Sequence, residues 1–187
     1  MKKKYEITNM VASADLGMDL DLYVISSKFK NIEYEPEQFP GAIMKFNEPK
    51  ATILVFKNGK LVIVGCRDRK TIEKAIVKAY KSLKKYAKNI RKKFNPSKPS
   101  YELTNMVASA DLDLDLDLFR VAMELTDIEY EPEQFPGAIV KLRKPNVSLL
   151  LFKNGKLIIA GGRTRKEIES AIDAIYKRIK RFNRKKR

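Results

Sequence analysis

The stretch YEPEQFPGAI, residues 34–43, occurs again without change at residues 130–139. Its flanks repeat as well: NMVASADL begins at Asn9 and Asn105, and FKNGKL begins at Phe56 and Phe152. Every pair is offset by 96 residues, so no insertion or deletion separates the two copies. Two copies at one fixed offset indicate a pseudo-symmetric pair of similar folding units rather than a solenoid.

A Pro- and Lys-rich segment, RKKFNPSKPS at residues 91–100, lies between the two copies as a linker should. We therefore expect a first repeat with its linker over residues 1–96. The second repeat, with a basic C-terminal tail, is expected over residues 97–187.

Each copy is predicted to run strand, short helix, several strands and long helix. The strand predictions rest on segments rich in β-branched residues between Pro and Gly turns, such as ATILVF and KLVIVGC. The first long helix is predicted within RKTIEKAIVKAYKSLKKYAKNI, residues 69–90. Its apolar residues recur three or four apart, and they are Ile72, Ala75, Ile76, Ala79, Leu83 and Ala87. The second copy has the same stripe at Ile168, Ala171, Ile172, Ile175 and Ile179. Asp68 is the expected N-cap of the first long helix, and Thr164 with Glu167 is a candidate capping box for the second. This order predicts an α+β fold.

Both faces of the predicted strands are apolar, since in TILVF and KLVIV every position but the terminal Thr52 and Lys60 is apolar. One long and one short helix per copy are enough to cover only one face of a four- or five-stranded antiparallel sheet. The other face therefore needs a partner. Packing of the two halves sheet on sheet and binding of an external ligand are both open at this point.

The turn FKNGK has two possible geometries. A two-residue turn at Asn58-Gly59 pairs Phe56 with Leu61. A three-residue turn with Gly59 at positive φ pairs Phe56 with Lys60, and places a phenylalanine at the edge of the sheet beside a lysine. Phe39 and its repeat also lie in a turn before a strand, where a core does not require them.

The composition excludes several classes of protein. One cysteine and no histidine rule out a disulfide framework and the usual zinc sites, and remove the commonest general base. We expect no membrane span, no signal peptide, no cofactor and an intracellular location.

The net charge of +16 suggests a polyanionic partner. Eighteen of the 39 basic residues lie in three runs at residues 2–4, 84–98 and 177–187, which are expected to be solvated helix ends and tails.

The segment DLDLDLDL, Asp111 to Leu118, alternates perfectly. It is predicted to be a strand end followed by the acidic first turn of a short helix, with Asp117 or Asp115 near the cap. A metal site on Asp113, Asp115 and Asp117 is the weaker alternative, because the segment lacks the Gly and terminal Glu of a calcium loop.

The doubled signature YEPEQFPGAI…EPKATILVFKNGKLVIVG resembles the repeat of the TATA-box-binding protein family, close to its archaeal type, over nearly the whole chain. The resemblance implies a saddle. Its two halves join into one curved antiparallel sheet, with DNA on the concave side and helices on the convex side. Double-stranded DNA with a TATA box is then the partner of the uncovered face. The expected location is the cytoplasm, on the nucleoid, of an archaeon, or the nucleus if the chain is eukaryotic.

The resemblance also implies roles for single residues. The wedge phenylalanines that insert at base steps are Phe39, Phe56, Phe135 and Phe152. Asn9 and Asn105 match the central asparagines that donate to adenine N3 or thymine O2. Other positions expected at the bases are Val11, Val107, Leu54, Leu150, Val62, Ile158, Val64, Ala160, Pro40 and Pro136. Lysines expected near phosphates are Lys45, Lys141, Lys60 and Lys156.

Two departures from the family pattern stand out. Where the family commonly has threonine in the last strand, this chain has Val64 and Ala160, so a base hydrogen bond made there by other members is absent. The C-terminal end is basic, whereas some archaeal relatives end in an acidic tail.

For protein partners, the resemblance implies that Glu131 and Glu133 dock transcription factor B, and through it RNA polymerase. The first copy repeats these acids, so the loop alone does not orient the complex.

Two rival functions remain. Similar folds occur in enzymes that process DNA or RNA, and Glu35 with Glu37 could be read as a general acid and base. No nucleophile stands near these acids, and the chain has no histidine. A nonspecific nucleic-acid-coating protein acting through basic tails is the other rival.

Overall fold

The computed structural model describes residues 4–184. The chain divides into two compact units. The first unit comprises Asn9–Thr104, and the second unit joins the chain up to Thr8 to the chain from Asn105 onward. Each unit therefore contains most of one repeat and the beginning of the first strand of the other.

Each unit repeats the predicted order of elements. Those of the first repeat are β1 (Tyr5–Asp15), β2 (Met18–Leu20), α1 (Leu22–Lys28), β3 (Ile32–Glu33), β4 (Ala42–Phe46), β5 (Ala51–Val55), β6 (Lys60–Cys66), α2 (Arg69–Leu83) and β7 (Ala87–Ile90). Those of the second repeat are β8 (Tyr101–Asp111), α3 (Leu118–Glu124), β9 (Ile128–Glu129), β10 (Ala138–Arg143), β11 (Asn146–Leu151), β12 (Lys156–Gly162) and α4 (Arg165–Ile179). A 3-10 turn follows each long helix, at Lys84–Tyr86 and Lys180–Phe182.

The strands of each unit pair antiparallel in the same order. In the first unit the order is β3-β4-β5-β6-β1, and in the second it is β9-β10-β11-β12-β8. The first strand of each repeat, β1 or β8, thus lies beside the strand that precedes the long helix, β6 or β12. The predicted α+β class, with two similar repeats built on antiparallel strands and two helices each, is confirmed.

The long helix covers one face of the strands in each unit. In the first unit α2 packs on β5 and β6 through Ile72, Ala75, Ile76, Ala79 and Leu83, all fully buried. The strand residues on that face, Ile53, Val55, Leu61 and Ile63, are buried as well. Burial of each large aliphatic side chain contributes roughly 1.5–3 kcal/mol, so this layer is the main source of stability. The second unit has the same layer between α4 and β12. The predicted first long helix is too long at its C-terminal end, because α2 ends at Leu83 and Ala87, expected in the stripe, begins β7.

Side chains cap all four helices at their N-termini. The Asp68 carboxylate accepts from Thr71 N–H at 2.8 Å, which is the first cause of the lowered pKa of this aspartate. Thr164 accepts from Glu167 N–H at 3.2 Å, as predicted. The Glu167 carboxylate, however, accepts from the N–H of Arg163, the residue before the cap, so the reciprocal bond of the capping box is shifted by one residue.

The acidic segment of the second repeat differs from its prediction in one respect. Asp117 is the N-cap of α3, as expected, but the first turn of α3 contains no acid because the helix starts at Leu118. Asp113 has positive φ, and its N–H donates to the Asp111 carboxylate at 2.9 Å, so the alternation ends in a turn. Within residues 4–184 no group of three or more possible ligand side chains is placed to hold a metal ion.

In the described chain the basic residues of the three runs are exposed, as predicted, except that Arg178 is half-buried, and several of them also form ion pairs that the sequence did not predict. In the second unit Arg184 forms an ion pair with Asp117, and hydrogen bonding to Arg184 lowers the pKa of that carboxyl. Arg178 pairs with Asp127 and likewise lowers its pKa. The basic C-terminal segment therefore lies against the acidic segment of its own repeat. Residues 1–3 and 185–187, also part of these runs, lie outside the described chain.

The end of the first repeat and the start of the linker are held by contacts of the same kind. Strand β7, just before the linker, pairs with β2. Arg91, the first residue of the linker, contacts the carboxylates of Asp19 at 3.1 Å and Asp15 at 3.6 Å. Lys88 pairs with Asp21 at 2.8 Å and is the first cause of the lowered pKa of that aspartate. No helix in the described part of the chain has the length and apolar character that crossing a bilayer requires.

Candidate nucleic-acid interface

The face of the strands away from the long helix is apolar and partly exposed in both units. Most of its side chains are half-buried, whereas their neighbours along each strand are fully buried. In the first unit this face presents Asn9, Val11, Ser13, Ile43, Thr52, Leu54, Val62 and Val64. In the second unit it presents Asn105, Val107, Ser109, Ile139, Ser148, Leu150, Ile158 and Ala160. Neither α2 nor α4 covers these residues, so each unit leaves an apolar surface available to a ligand.

The cross-strand register brings the predicted base-contacting residues together. Leu54 lies opposite Val62 in the first unit, and Leu150 lies opposite Ile158 in the second. Val107 lies opposite Ala160. These pairs form a smooth aliphatic strip across each unit, with few groups that can hydrogen-bond.

The turn between β5 and β6 adopts the three-residue geometry. Phe56 N–H donates to Lys60 O at 3.0 Å, Leu54 pairs with Val62, and Gly59 has a φ of +73°. The second of the two alternatives is thereby confirmed. The equivalent turn of the second unit has the same bond, from Phe152 N–H to Lys156 O at 2.9 Å.

The four phenylalanines form one pair in each unit. The Phe39 and Phe56 ring centroids are 5.8 Å apart in an edge-to-face arrangement, and those of Phe135 and Phe152 are 5.9 Å apart. All four rings are half-buried, so none is enclosed in a core. The neighbouring prolines Pro40 and Pro136 are exposed. Each unit thus holds two aromatic rings together at one end of its apolar face.

Gly41 and Gly137 make room for these rings. A Cβ atom on Gly41 would lie 2.8 Å from Cε1 of Phe39 and 3.1 Å from Cε1 of Phe56. The corresponding distances at Gly137, to Phe135 and Phe152, are the same. The sequence reasoning missed both glycines, although their place in the identical stretch YEPEQFPGAI was a usable signal.

Alanine at position 137 should therefore displace the Phe135 ring without unfolding the protein. We expect Gly137→Ala to lower the melting temperature by only a few degrees, roughly 1 kcal/mol, because the clash is with a ring that can turn. Ligand binding at this face should weaken clearly. A double-mutant cycle with Phe135→Ala is the control, since the glycine substitution should cost little once the ring is gone.

The loop that carries Phe39 is closed by backbone hydrogen bonds. Glu35 O accepts from Gln38 N–H and Phe39 N–H, both at 3.0 Å. Tyr34 packs edge-to-face on Tyr23 of α1, with 5.0 Å between ring centroids. The second unit has the same turn at Glu131 and the same aromatic contact, between Tyr130 and Phe119 of α3.

The two asparagines are oriented by the backbone of the last strand. The Asn9 side-chain oxygen accepts from Gly65 N–H at 2.9 Å, and that of Asn105 accepts from Gly161 N–H at 2.9 Å. This bond fixes which side-chain atom is oxygen and which is nitrogen. Within residues 4–184 neither amide nitrogen donates a hydrogen bond to the protein. Both N–H groups of each side-chain amide are therefore available to a ligand.

The four predicted phosphate-binding lysines are exposed at the edges of the apolar face. Lys45 contacts the Glu33 carboxylate at 3.0 Å. Lys60 lies opposite Asp15, and Lys156 lies opposite Asp111. Lys141 lies opposite Ser148.

The acids predicted to bind a protein partner, Glu131 and Glu133, are exposed in the second loop. The Glu131 carboxylate accepts a hydrogen bond from the Gln134 side chain. Their repeats Glu35 and Glu37 are exposed in the first loop as well.

An open cavity adjoins the aromatic pair of each unit. In the first unit it has a volume of about 820 Å³ and is lined by Phe56, Val62 and Lys60 among others. In the second it has a volume of about 1000 Å³ and is lined by Phe152, Ile158 and Lys156 among others. Both cavities combine apolar side chains with lysines and acids, such as Asp15 in the first unit and Asp111 in the second.

The side chains that could be considered for catalysis are Cys66, Glu35 and Glu37. Cys66 is buried, and burial, with a smaller effect of Asp68, raises the pKa of its thiol. A protonated, buried thiol is a poor nucleophile. Glu35 and Glu37 are both exposed in the first loop.

Comparison with known proteins gives a consistent result. The family described as "Transcription factor TFIID (or TATA-binding protein, TBP)" matches residues 4–86 and 100–182. The TATA-box-binding protein of Pyrodictium occultum is 38% identical over 181 residues, which cover 97% of this chain and 88% of the relative. That of Archaeoglobus fulgidus is 38% identical over 179 residues, 95% of each chain. The solved structure of Methanococcus jannaschii TBP has a TM-score of 0.85 and 36% identity, over 95% of this chain and 99% of that one.

Proposed function

Since the chain belongs to the TATA-binding protein family of transcription factors, which are not enzymes, we propose that it binds the TATA element in the minor groove of promoter DNA. It bends the duplex by inserting phenylalanine rings between base pairs. It acts as a general transcription initiation factor on the DNA of its cell. The observation that carries this proposal is the apolar face that the long helices leave uncovered, with a pair of phenylalanines at its end in each unit.

An apolar face suits the minor groove because the groove floor of A·T pairs presents few donors. Valine, leucine and isoleucine side chains pressed on that floor tolerate A·T and T·A equally. The 2-amino group of guanine, which projects into the groove, would lose its hydrogen bonds to water against them. The aliphatic strip formed by Leu54, Val62, Leu150 and Ile158 therefore selects A·T-rich sites by shape and desolvation.

Wedging accounts for the paired rings. Unstacking costs roughly a few kcal/mol per base step in minor-groove wedge proteins, a figure known from this family among others. The cost is offset because a widened, bent groove meets more of the apolar face. Phe39 and Phe56 support each other edge to face, so the pair enters the step as one rigid wedge. Phe135 and Phe152 do the same in the second unit.

Asn9 and Asn105 supply directed hydrogen bonds. Their oxygens are held by Gly65 and Gly161, so the amide nitrogens are the atoms that donate to adenine N3 or thymine O2. Val64 and Ala160 add contact only, since neither side chain can hydrogen-bond. The lysines at positions 45, 60, 141 and 156 position the phosphates without reading sequence. Lys45 must leave Glu33 to do so.

A comparison of two duplexes tests the proposal. At moderate salt, the chain should bind a TATA duplex at least about a hundredfold more tightly than a G·C duplex of the same length, and should bend only the first. Gel shift with fluorescence energy transfer between the duplex ends measures both quantities. Equal affinity for the two duplexes without bending would indicate a nonspecific coating protein instead.

We also propose that the second loop, with Glu131 and Glu133, docks transcription factor B, which brings RNA polymerase to the promoter. Support comes from the exposure of these acids on a loop that the backbone bonds of Glu131 hold in shape. The repeats themselves are proposed to extend over residues 1–96 and 97–187. The two family matches leave residues 87–99 between them, which favours a boundary inside the linker.

Charge reversal at matched positions of the two loops tests the docking proposal. We expect Glu133→Lys to weaken binding of an archaeal transcription factor B to the TATA-bound chain about tenfold or more, because an interface acid becomes a base. Glu37→Lys, the same change in the first loop, is the matched control and should leave that affinity within about twofold. Equal losses from both variants would argue against docking at one loop.

A further inference from the structure

The two loops are equivalent in sequence and in structure, so a partner that prefers one of them must read something beside it. The decapeptides are identical. Both loops are closed by the same backbone bonds, to Glu35 O and Glu131 O. In both, the tyrosine that opens the loop packs on an aromatic ring of the preceding short helix. The nearest structure that can distinguish the two loops is that helix, α1 in the first unit and α3 in the second.

The short helices differ on their exposed surfaces. Ser27 of α1 is replaced by Met123 in α3, and Met123 is 86% exposed. Phe119, 60% exposed, stands where α1 has Tyr23, which is 61% exposed. The surface beside the second loop therefore presents an exposed methionine next to a phenylalanine. The surface beside the first loop presents a serine and a tyrosine, with Val24, 42% exposed, where α3 has Arg120. Methionine and phenylalanine are enriched where proteins bind one another.

The charges around the helices differ as well. In the first unit α1 ends in Lys28 and is followed by Lys30, and within the described chain neither has an ion-pair partner. At the equivalent positions the second unit has Glu124 and Thr126. Glu124 is paired with Arg120 at 2.9 Å and with Arg181 at 3.3 Å. This cluster of one acid and two bases is less basic than the pair Lys28 and Lys30 of the first unit, because the acid offsets one of its two positive charges.

The glutamate that opens each loop differs in its partner. Glu33 of the first unit contacts Lys45 at 3.0 Å. Its repeat Glu129 is exposed and forms no ion pair with another residue of the range 4–184. The second loop is thus flanked by an uncompensated acid and an apolar patch, whereas the first loop is flanked by two uncompensated lysines.

We propose that Phe119 and Met123 of α3, with Glu129 and Glu133, form the surface that selects the second loop for a basic partner protein with an apolar socket. Lys28 and Lys30 repel the same partner from the first loop, so attraction at one loop and repulsion at the other both contribute. This inference rests on the proposed docking of transcription factor B and names the residues that give that docking its direction.

The test exchanges the distinguishing residues between the two short helices. Met123→Ser gives α3 the residue of α1, and the double variant Ser27→Met with Lys28→Glu gives α1 the residues of α3. Both changes lie on exposed positions. A photo-crosslinker at the exposed position 38 or 134, which lies outside the proposed surface, reports which loop an archaeal transcription factor B occupies on a self-complementary TATA duplex, where the DNA itself has no direction.

With otherwise wild-type residues, the chain should crosslink at position 134 at least about tenfold more than at position 38. Met123→Ser should lower the yield at 134 about tenfold, and the double variant should raise the yield at 38 by a similar factor. Duplex bending, measured before the partner is added, should be unchanged in every variant. The inference would be overturned if the exchanged residues left both crosslinking yields within about twofold of wild type. Equal crosslinking yields at the two loops of the wild-type protein would also overturn it. Failure of the wild-type chain to bend the duplex would instead overturn the proposed function.

Discussion

Replacing Phe56 and Phe152 together by alanine is expected to abolish bending of a TATA duplex and to weaken its binding about a hundredfold or more. Each ring is one half of an edge-to-face pair, so its loss leaves the remaining ring without support at the base step. Truncation of an aromatic hot-spot residue costs about 2 kcal/mol or more in binding. Energy transfer between labelled duplex ends measures the bend, and titration measures the affinity.

The same double variant should remain folded. The rings are half-buried and lie outside the layer between the long helices and the strands, so the loss of stability stays below the roughly 3–5 kcal/mol typical of a core phenylalanine. Phe94→Ala is the matched control, because Phe94 is also half-buried but packs on Tyr80 of α2. It should leave bending unchanged. Normal bending by the Phe56/Phe152 variant would show that the rings are not wedges.

The largest loss of stability is expected from Gly59→Ala, in the turn that carries Phe56. A Cβ atom at this position would lie 2.1 Å from the Met18 carbonyl oxygen, and φ is +73°. Backbone atoms cannot move aside as a side chain can. We expect a loss of at least about 3 kcal/mol, which lowers the melting temperature of a protein of this size by roughly 6–12 °C.

Gly65→Ala separates the two causes of that loss. Gly65 also has a positive φ, of +86°, but a Cβ atom there would meet nothing within 4 Å. Alanine at this position should cost only the roughly 1–2 kcal/mol of a left-handed backbone conformation. Thermal unfolding of the two variants under identical conditions gives the comparison. Equal losses would mean that the approach to Met18 is relieved at little cost.

The repeat made much of the fold predictable. Because the copies align without a gap, each local pattern was seen twice, and the helix stripes beginning at Ile72 and Ile168 were found where expected. Glycine at position 59, with its freedom to take positive φ, allowed the three-residue turn as one of two alternatives. Neither strand pattern could decide between them, since both faces are apolar. The observed bond from Phe56 to Lys60 decided it.

What the sequence did not predict depends on contacts between distant segments. A run of charges predicts solvent exposure but does not predict its partners: Arg91 and Arg184 are exposed and also pair with aspartates far away in sequence. Strand β7 is equally hidden, since AKNI has little strand character and pairs only because β2 lies beside it. The role of Gly137 required knowing that two rings meet over it. The site residues themselves came from a family resemblance, and their DNA contacts stay predictions.

The arginines tied to aspartates have a consequence for how binding responds to ionic strength. Association with DNA releases one condensed cation for nearly every phosphate that the protein neutralises, so the dependence of affinity on salt counts those phosphates alone. Arg91, Arg178 and Arg184 already neutralise carboxylates of their own repeats. The number of cations released should therefore follow the few lysines around the apolar face and fall well below the formal charge of +16.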